Sequence, residues 1–134
     1  MRLKALVLIC SISLISTPAL AQNSTIDLLQ ALDGNAQIYA IDGQYLGIIS
    51  SQKYDGDSTC NRFGQYGSSF SSTSASNKFS TYGSAYSILG AYNPNATKPP
   101  VIIYQGRVVG VLTKNRRMSD GIDPDLIYGV LCSN

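Results

Sequence analysis

Histidine, tryptophan and glutamate are all missing from the 134 residues, and each absence removes chemistry. Without His, no Ser-His-Asp or Cys-His relay can activate a nucleophile. Metal sites built on imidazole cannot form either. Without Glu, every acidic side chain is an aspartate: Asp27, Asp33, Asp42, Asp55, Asp57, Asp120, Asp123 and Asp125. A pair of aspartates could serve glycoside hydrolysis, which needs two carboxylates at a set separation, but these cluster in turn contexts. The composition therefore predicts a non-catalytic protein without a cofactor. Charge is scarce as well. Ten Lys and Arg face eight Asp, and Arg2 and Lys4 stand at the start of the chain. The rest balances near zero, so the formal charge of +2 implies no nucleic-acid partner. The one basic cluster, "KNRR" at 114–117, reads as a solvated loop, with an anionic partner as the alternative.

Residues 1–21, "MRLKALVLICSISLISTPALA", have a positive start, an apolar run and a small-residue end after Pro18. This is the pattern of a secretory signal peptide, with cleavage expected after Ala21. The run is short for a membrane span, which needs about 20 residues, so no membrane association is expected after cleavage. Cys10 follows bulky Ile9 with few apolar residues upstream, which disfavours lipidation there. The mature chain is expected to be one globular domain, 22–134, periplasmic or secreted.

Two cysteines remain beyond the signal, Cys60 and Cys132. In an exported protein an even pair predicts a disulfide. The alternative, a reactive thiol, lacks the usual histidine to lower its pKa.

The fold expected is mainly β, a small α+β domain with two β-hairpins flanking a loop-rich repeat region and short helices at both ends. Residues 24–32, "STIDLLQAL", suit a short helix capped by Ser24 or Thr25 and stopped by Asp33-Gly34-Asn35. Residues 36–50 carry two β-rich runs around Asp42-Gly43, the dipeptide of a type I′ turn. Residues 100–113 repeat the design around Gln105-Gly106. A shift of 63 lays Gly43 on Gly106, Gly47 on Gly110, Ile49 on Leu112 and Ser50 on Thr113. Apolar residues on both faces predict hairpins packed on each other or beneath other elements. At the C-terminus, Asp123 and Pro124 can open a helix running to Cys132, with Leu126, Ile127, Val130 and Leu131 on one face.

Between the hairpins, residues 54–98 repeat every 16 residues. Tyr54, Phe70 and Tyr86 correspond, as do Asn61, Asn77 and Asn93, and Phe63 with Phe79. Tyr66-Gly67-Ser68 matches Tyr82-Gly83-Ser84, and the third copy decays into Lys98-Pro99-Pro100. Disordered linkers are poor in aromatics, so this spacing predicts folded, stacked turns. Phe63, Tyr66, Phe79 and Tyr82 are expected at least half buried, with Asn61 and Asn77 bonding backbone.

The hairpin "DGQYLGIIS", the repeats "NRFGQYGSSFSSTSASNKFSTYGSAYS" and the second hairpin "PPVIIYQGRVVGVLTKN" resemble a group of small exported bacterial proteins. Their pattern is a DGKYLG-type hairpin, N-x-[YF]-G-x-YGS-x-YS repeats and a hairpin after a Pro pair. The resemblance covers most of residues 41–115 and implies export and architecture. No activity or catalytic residue follows from it.

Candidate ligand contacts are Tyr66, Tyr82, Asn61 and Asn77. Asp55 and Asp57, and Asp120, Asp123 and Asp125, form oxygen-rich clusters of the kind calcium prefers, but without the full EF-hand pattern; Asx turns and helix caps explain them better. Two function classes follow. One is a structural or protein-interaction module with an unknown partner. The other is a glycan or cell-wall-binding module using exposed Tyr, Asn and Asp. A clustered row of exposed Tyr rings would favour glycans, and buried rings the interaction module.

Overall fold

The computed structural model describes residues 17–133. Arg2, Lys4, Cys10 and the apolar run of the expected signal lie outside the described residues. Helix α1 spans Thr17–Leu32. The expected helix is its second half. Ser24 and Thr25 therefore lie inside the helix and do not cap it, because Ala19, Leu20, Ala21 and Gln22 are themselves good helix formers. No helix among the described residues is long and apolar enough to cross a membrane. The segment up to Ala31 and the body from Leu32 onward are two separate compact units.

The body is built on a five-stranded sheet: β1 (Ala36–Tyr39), β2 (Tyr45–Ile49), β3 (Val101–Tyr104), β4 (Arg107–Leu112) and β5 (Gly121–Ile122). The order is β2-β1-β3-β4-β5. Both expected hairpins form. They do not stack face to face but join edge to edge, β1 pairing antiparallel with β3 from Ala36↔Tyr104 to Tyr39↔Val101. The buried face carries Ala36, Ile38, Leu46, Ile49, Ile102 and Leu112, all fully buried. Leu46 and Ile49 are three apart, which strict strand alternation would place on opposite faces. Gly47 resolves this with φ 108°, shifting the phase within the strand.

The turn chemistry reverses the expectation. Only Gly43 has positive φ in the first hairpin's turn. Its N–H donates to Ala40 O (3.0 Å), and Ala40 N–H donates to Gln44 O (2.8 Å). This is the three-residue loop of a type I turn closed by a left-handed glycine, and Asp42 Oδ1 fixes it by accepting from Gln44 N–H. The pair of positive φ angles that marks a type I′ turn is at Gln105 (53°) and Gly106 (76°).

The 63-residue echo runs deeper than the hairpins. Ile48 N–H donates to Asp57 O (2.8 Å), and Val111 N–H donates to Asp120 O (3.0 Å). Ser58 N–H donates to Asp55 O, and Gly121 N–H to Met118 O, at the same shift. Ser50 Oγ accepts from Gln52 N–H, as Thr113 Oγ1 does from Asn115 N–H. Each hairpin is thus followed by a segment that turns back and runs parallel to its second strand, Ile48↔Ser58 in one copy and Val111↔Gly121 in the other.

The repeat region leaves the first copy as a coil of tight turns. Successive N–H groups donate three residues back: Ser71 to Ser68, Ser74 to Ser71, Asn77 to Ser74 and Ser80 to Asn77. One longer step, Ser68 N–H to Gly64 O, recurs as Ser84 N–H to Ser80 O. Four three-residue steps and one four-residue step make sixteen residues, which is the origin of the sequence period. The residue opening each step is small, most often Ser or Asn, with Gly at 64 and 90: Ser58 and Ser74 are 0% exposed, and Asn61, Asn77 and Asn93 are buried. Its side chain accepts from the N–H two residues on, as Ser68, Ser71, Ser74 and Asn77 do. Each Asn also donates Nδ2 to a carbonyl six residues back: Asn61 to Asp55, Asn77 to Ser71, Asn93 to Ser87. Side chains thus replace a β-ladder in satisfying the buried backbone.

The C-terminal segment opens as expected, with Asp123 Oδ1 accepting from Asp125 N–H after the Asp-Pro start. It continues as a π-helical turn, Leu126–Val130, and a 3₁₀ turn, Leu131–Ser133. The wider turn breaks the expected face: Ile127 and Leu131 are buried while Val130 is exposed. Cys60 and Cys132 are disulfide-bonded, joining the coil to this segment.

Candidate functional site

In the coil's three-residue steps the phenylalanines stand at the third position and go out. Phe63, Phe70, Phe79 and Tyr86 each stand two residues after an opener, and each gives its own N–H to that opener's side-chain oxygen. Tyr54 occupies the same slot one repeat earlier. Their exposures are 91% for Tyr54, 94% for Phe63, 91% for Phe70, 97% for Phe79 and 95% for Tyr86. Every phenylalanine in the chain is therefore in water, on a backbone held by side-chain hydrogen bonds, while fully buried serines fill the coil.

Four of these exposed rings, Tyr54, Phe63, Phe70 and Phe79, form a row. A groove lined by Lys53, Tyr54, Arg62 and Phe63 abuts a second, about 450 Å³, between Phe63 and Phe70. A third, of similar volume, runs from Phe70 to Phe79 and is edged by Lys78, Tyr92 and Asp125. The disulfide walls the first two, and Tyr128 lines the second and third. Between the rings the lining is polar and small, with Ser69 and Ser76 in both later grooves. Behind the middle groove, Thr59 Oγ1 and Tyr128 OH are buried with no hydrogen-bond partner among the described residues, and burial holds the Tyr128 phenol well above its ordinary pKa.

The residues expected to meet a ligand have other work. Tyr66 is buried against the sheet. Its ring lies 4.9 Å from that of Tyr45, and a Cβ on Gly47 would stand 2.6 Å from its own Cβ. Tyr82, half-buried, donates its hydroxyl to Asp42 Oδ2 at 2.8 Å, which ties the coil to the first hairpin. Both belong to the four-residue step, whose extra residue turns the third side chain towards the sheet. Asn61 and Asn77 bond backbone, as expected. Phe63 and Phe79, expected to be at least half buried, stand almost wholly in solvent instead, because Asn61 and Asn77 hold the inward positions of their three-residue steps. The signal that distinguishes them is a period of three in small polar residues, nested within the period of 16.

The aspartate clusters are also committed. Asp55 Oδ1 accepts from Asp57 N–H in an Asx turn. Asp120 contributes its carbonyl to β4. Asp123 and Asp125 hold the Lys114 ammonium, with Nζ 2.8 Å from Asp123 Oδ1 and 2.6 Å from Asp125 Oδ2. These bonds raise the Lys114 pKa and lower that of Asp125. The Tyr92 hydroxyl donates to Asp125 (3.0 Å), and burial, then this bond, pushes its pKa up. Lys78 Nζ sits 4.6 Å from the centre of the Tyr92 ring.

Burial foremost, then the Asp57 charge, moves the Tyr45 phenol from 10.0 to about 12. A pKa raised by folding gives stability that is present below the unfolded value and lost as pH rises to the folded one. The melting temperature should therefore fall between pH 10 and about 12, and Tyr45→Phe should reduce that fall, leaving the part that the raised Tyr92 and Tyr128 phenols contribute. An unchanged slope in the variant would remove Tyr45 as its source.

No protein-family model matches this chain, and no curated protein or solved structure gives a match.

Proposed function

We propose that the chain is an exported, non-catalytic module that binds a glycan through its row of exposed rings. The observation that carries this reading is the inverted coil: serine inside, phenylalanine outside, at a spacing maintained by the backbone. Exposed apolar patches on a soluble domain mark places where something else binds. Sugar rings have an apolar face and a hydroxylated rim, which suits aromatic platforms separated by Ser-lined grooves. A protein-interaction surface is the alternative, but it would call for a continuous apolar core and fewer polar gaps between rings. Export rests on the signal-like residues 1–21 and agrees with the disulfide.

The test combines location with binding. Protein recovered from the periplasmic or secreted fraction should begin at Gln22 by intact mass. The Phe63→Ala/Phe70→Ala/Phe79→Ala variant should melt within about 0.5 kcal/mol of the parent, because exposed side chains contribute little to stability. In affinity electrophoresis against soluble polysaccharides it should bind on the order of a hundredfold more weakly, at about 1 kcal/mol per aromatic contact. A variant that melts far lower would make the rings structural, and a parent that binds no polysaccharide would end the proposal.

A further inference from the structure

The rings of the row do not stand alone. Lys53 precedes Tyr54, Arg62 precedes Phe63 and Lys78 precedes Phe79. All three cations are exposed and line the grooves beside those rings. Among the described residues, Asp125 is the one carboxylate on the three grooves, and Lys114 holds its charge at 2.6 Å. Asp55, although adjacent to Tyr54, is turned into its own Asx turn. Three of the four rings in the row thus have a cation beside them, while Phe70 is preceded by Ser69.

From this we propose that the row takes an acidic glycan, a polysaccharide whose sugar units carry carboxylates. The inference rests on the glycan reading above and adds the charge of the ligand. Each repeating unit would lay its apolar face on a ring and its carboxylate against the neighbouring cation. Arg62-Phe63 and Lys78-Phe79 recur at the 16-residue period of the coil, and Lys53-Tyr54 adds a third pair at the end of the row, a spacing that a repeating anionic polymer can follow. An anionic lipid surface would also meet cations and rings, but an inserting patch needs contiguous apolar area. Here Ser69, Ser76 and Gly67 interrupt it.

The exported protein is titrated with sodium polygalacturonate, with neutral dextran, and with phosphatidylglycerol vesicles, each in low and high salt. The expected result is binding to polygalacturonate that weakens at least tenfold as salt screens the exposed charges, and weaker binding to dextran. Arg62→Gln and Lys53→Gln should each cost about fivefold in affinity, with melting temperature unchanged and dextran binding unaffected. Equal affinity for dextran and polygalacturonate, or silent Arg62→Gln and Lys53→Gln variants, would overturn the acidic ligand and leave the glycan reading standing. Binding to neither polysaccharide would overturn both, as would binding to the vesicles alone.

Discussion

Gly83→Ala should destabilise the protein by at least about 3 kcal/mol, at or beyond the upper end for overpacking. A Cβ at this position would run into Asn77 O and lie 2.7 Å from Ala75 O. Both obstacles are backbone, and both belong to steps locked by their own hydrogen bonds, so neither can give way cheaply. Gly67 meets the equivalent obstacle one repeat earlier, from Asn61 O and Thr59 O. The glycine of each Tyr-Gly-Ser triplet is therefore required for space. Gly56→Ala is the control, since a Cβ there meets nothing within 4 Å. Urea unfolding of the two variants settles the matter. A Gly83→Ala midpoint equal to that of Gly56→Ala would mean the coil does not close as described.

Loss of the disulfide should have an effect of similar size. Cys60 and Cys132 are 72 residues apart in sequence, and in the chain-entropy model such a closure is worth about 4 kcal/mol. The bond also anchors the π-helical and 3₁₀ turns, whose buried contacts from Ile127 and Leu131 are too few to hold a short segment alone. The Cys60→Ser/Cys132→Ser variant should unfold at markedly lower urea, and because Tyr128 and Cys132 line the grooves, it should also weaken the proposed polysaccharide binding. An unchanged midpoint in the double variant would show that the crosslink stabilises nothing.

Several parts of the architecture are legible in the residues alone. Asp42-Gly43 and Gln105-Gly106 announce the hairpins, the cysteine count announces the disulfide, and the recurrence of Asn61, Asn77 and Asn93 announces an ordered repeat. The joining of β1 to β3 is not legible, because it pairs residues more than sixty apart and leaves no local signature. The burial of the aromatics is misread for a different reason. Large apolar side chains ordinarily supply the core, and that rule fails where the interior of a coil has room only for Ser, Asn, Ala and Gly. Tyr66 and Phe63 look alike in the sequence. What separates them is whether the step that carries them has four residues or three, and Ser68 N–H to Gly64 O is the bond that decides it.

The coil's bonds also bear on the route by which the chain finds its fold. Pairing β1 with β3 must bring together strands separated by the whole repeat region, and long-range closure of this kind slows folding. Yet the coil's own side-chain hydrogen bonds reach only two to nine residues, so each turn can form without waiting for the sheet. Once formed, the coil is a spacer of fixed length, and the search left to β1 and β3 is over a short distance with little remaining chain entropy. The serines that fill its interior therefore act on the kinetics of the sheet, which they scarcely touch, by shortening the loop it has to close.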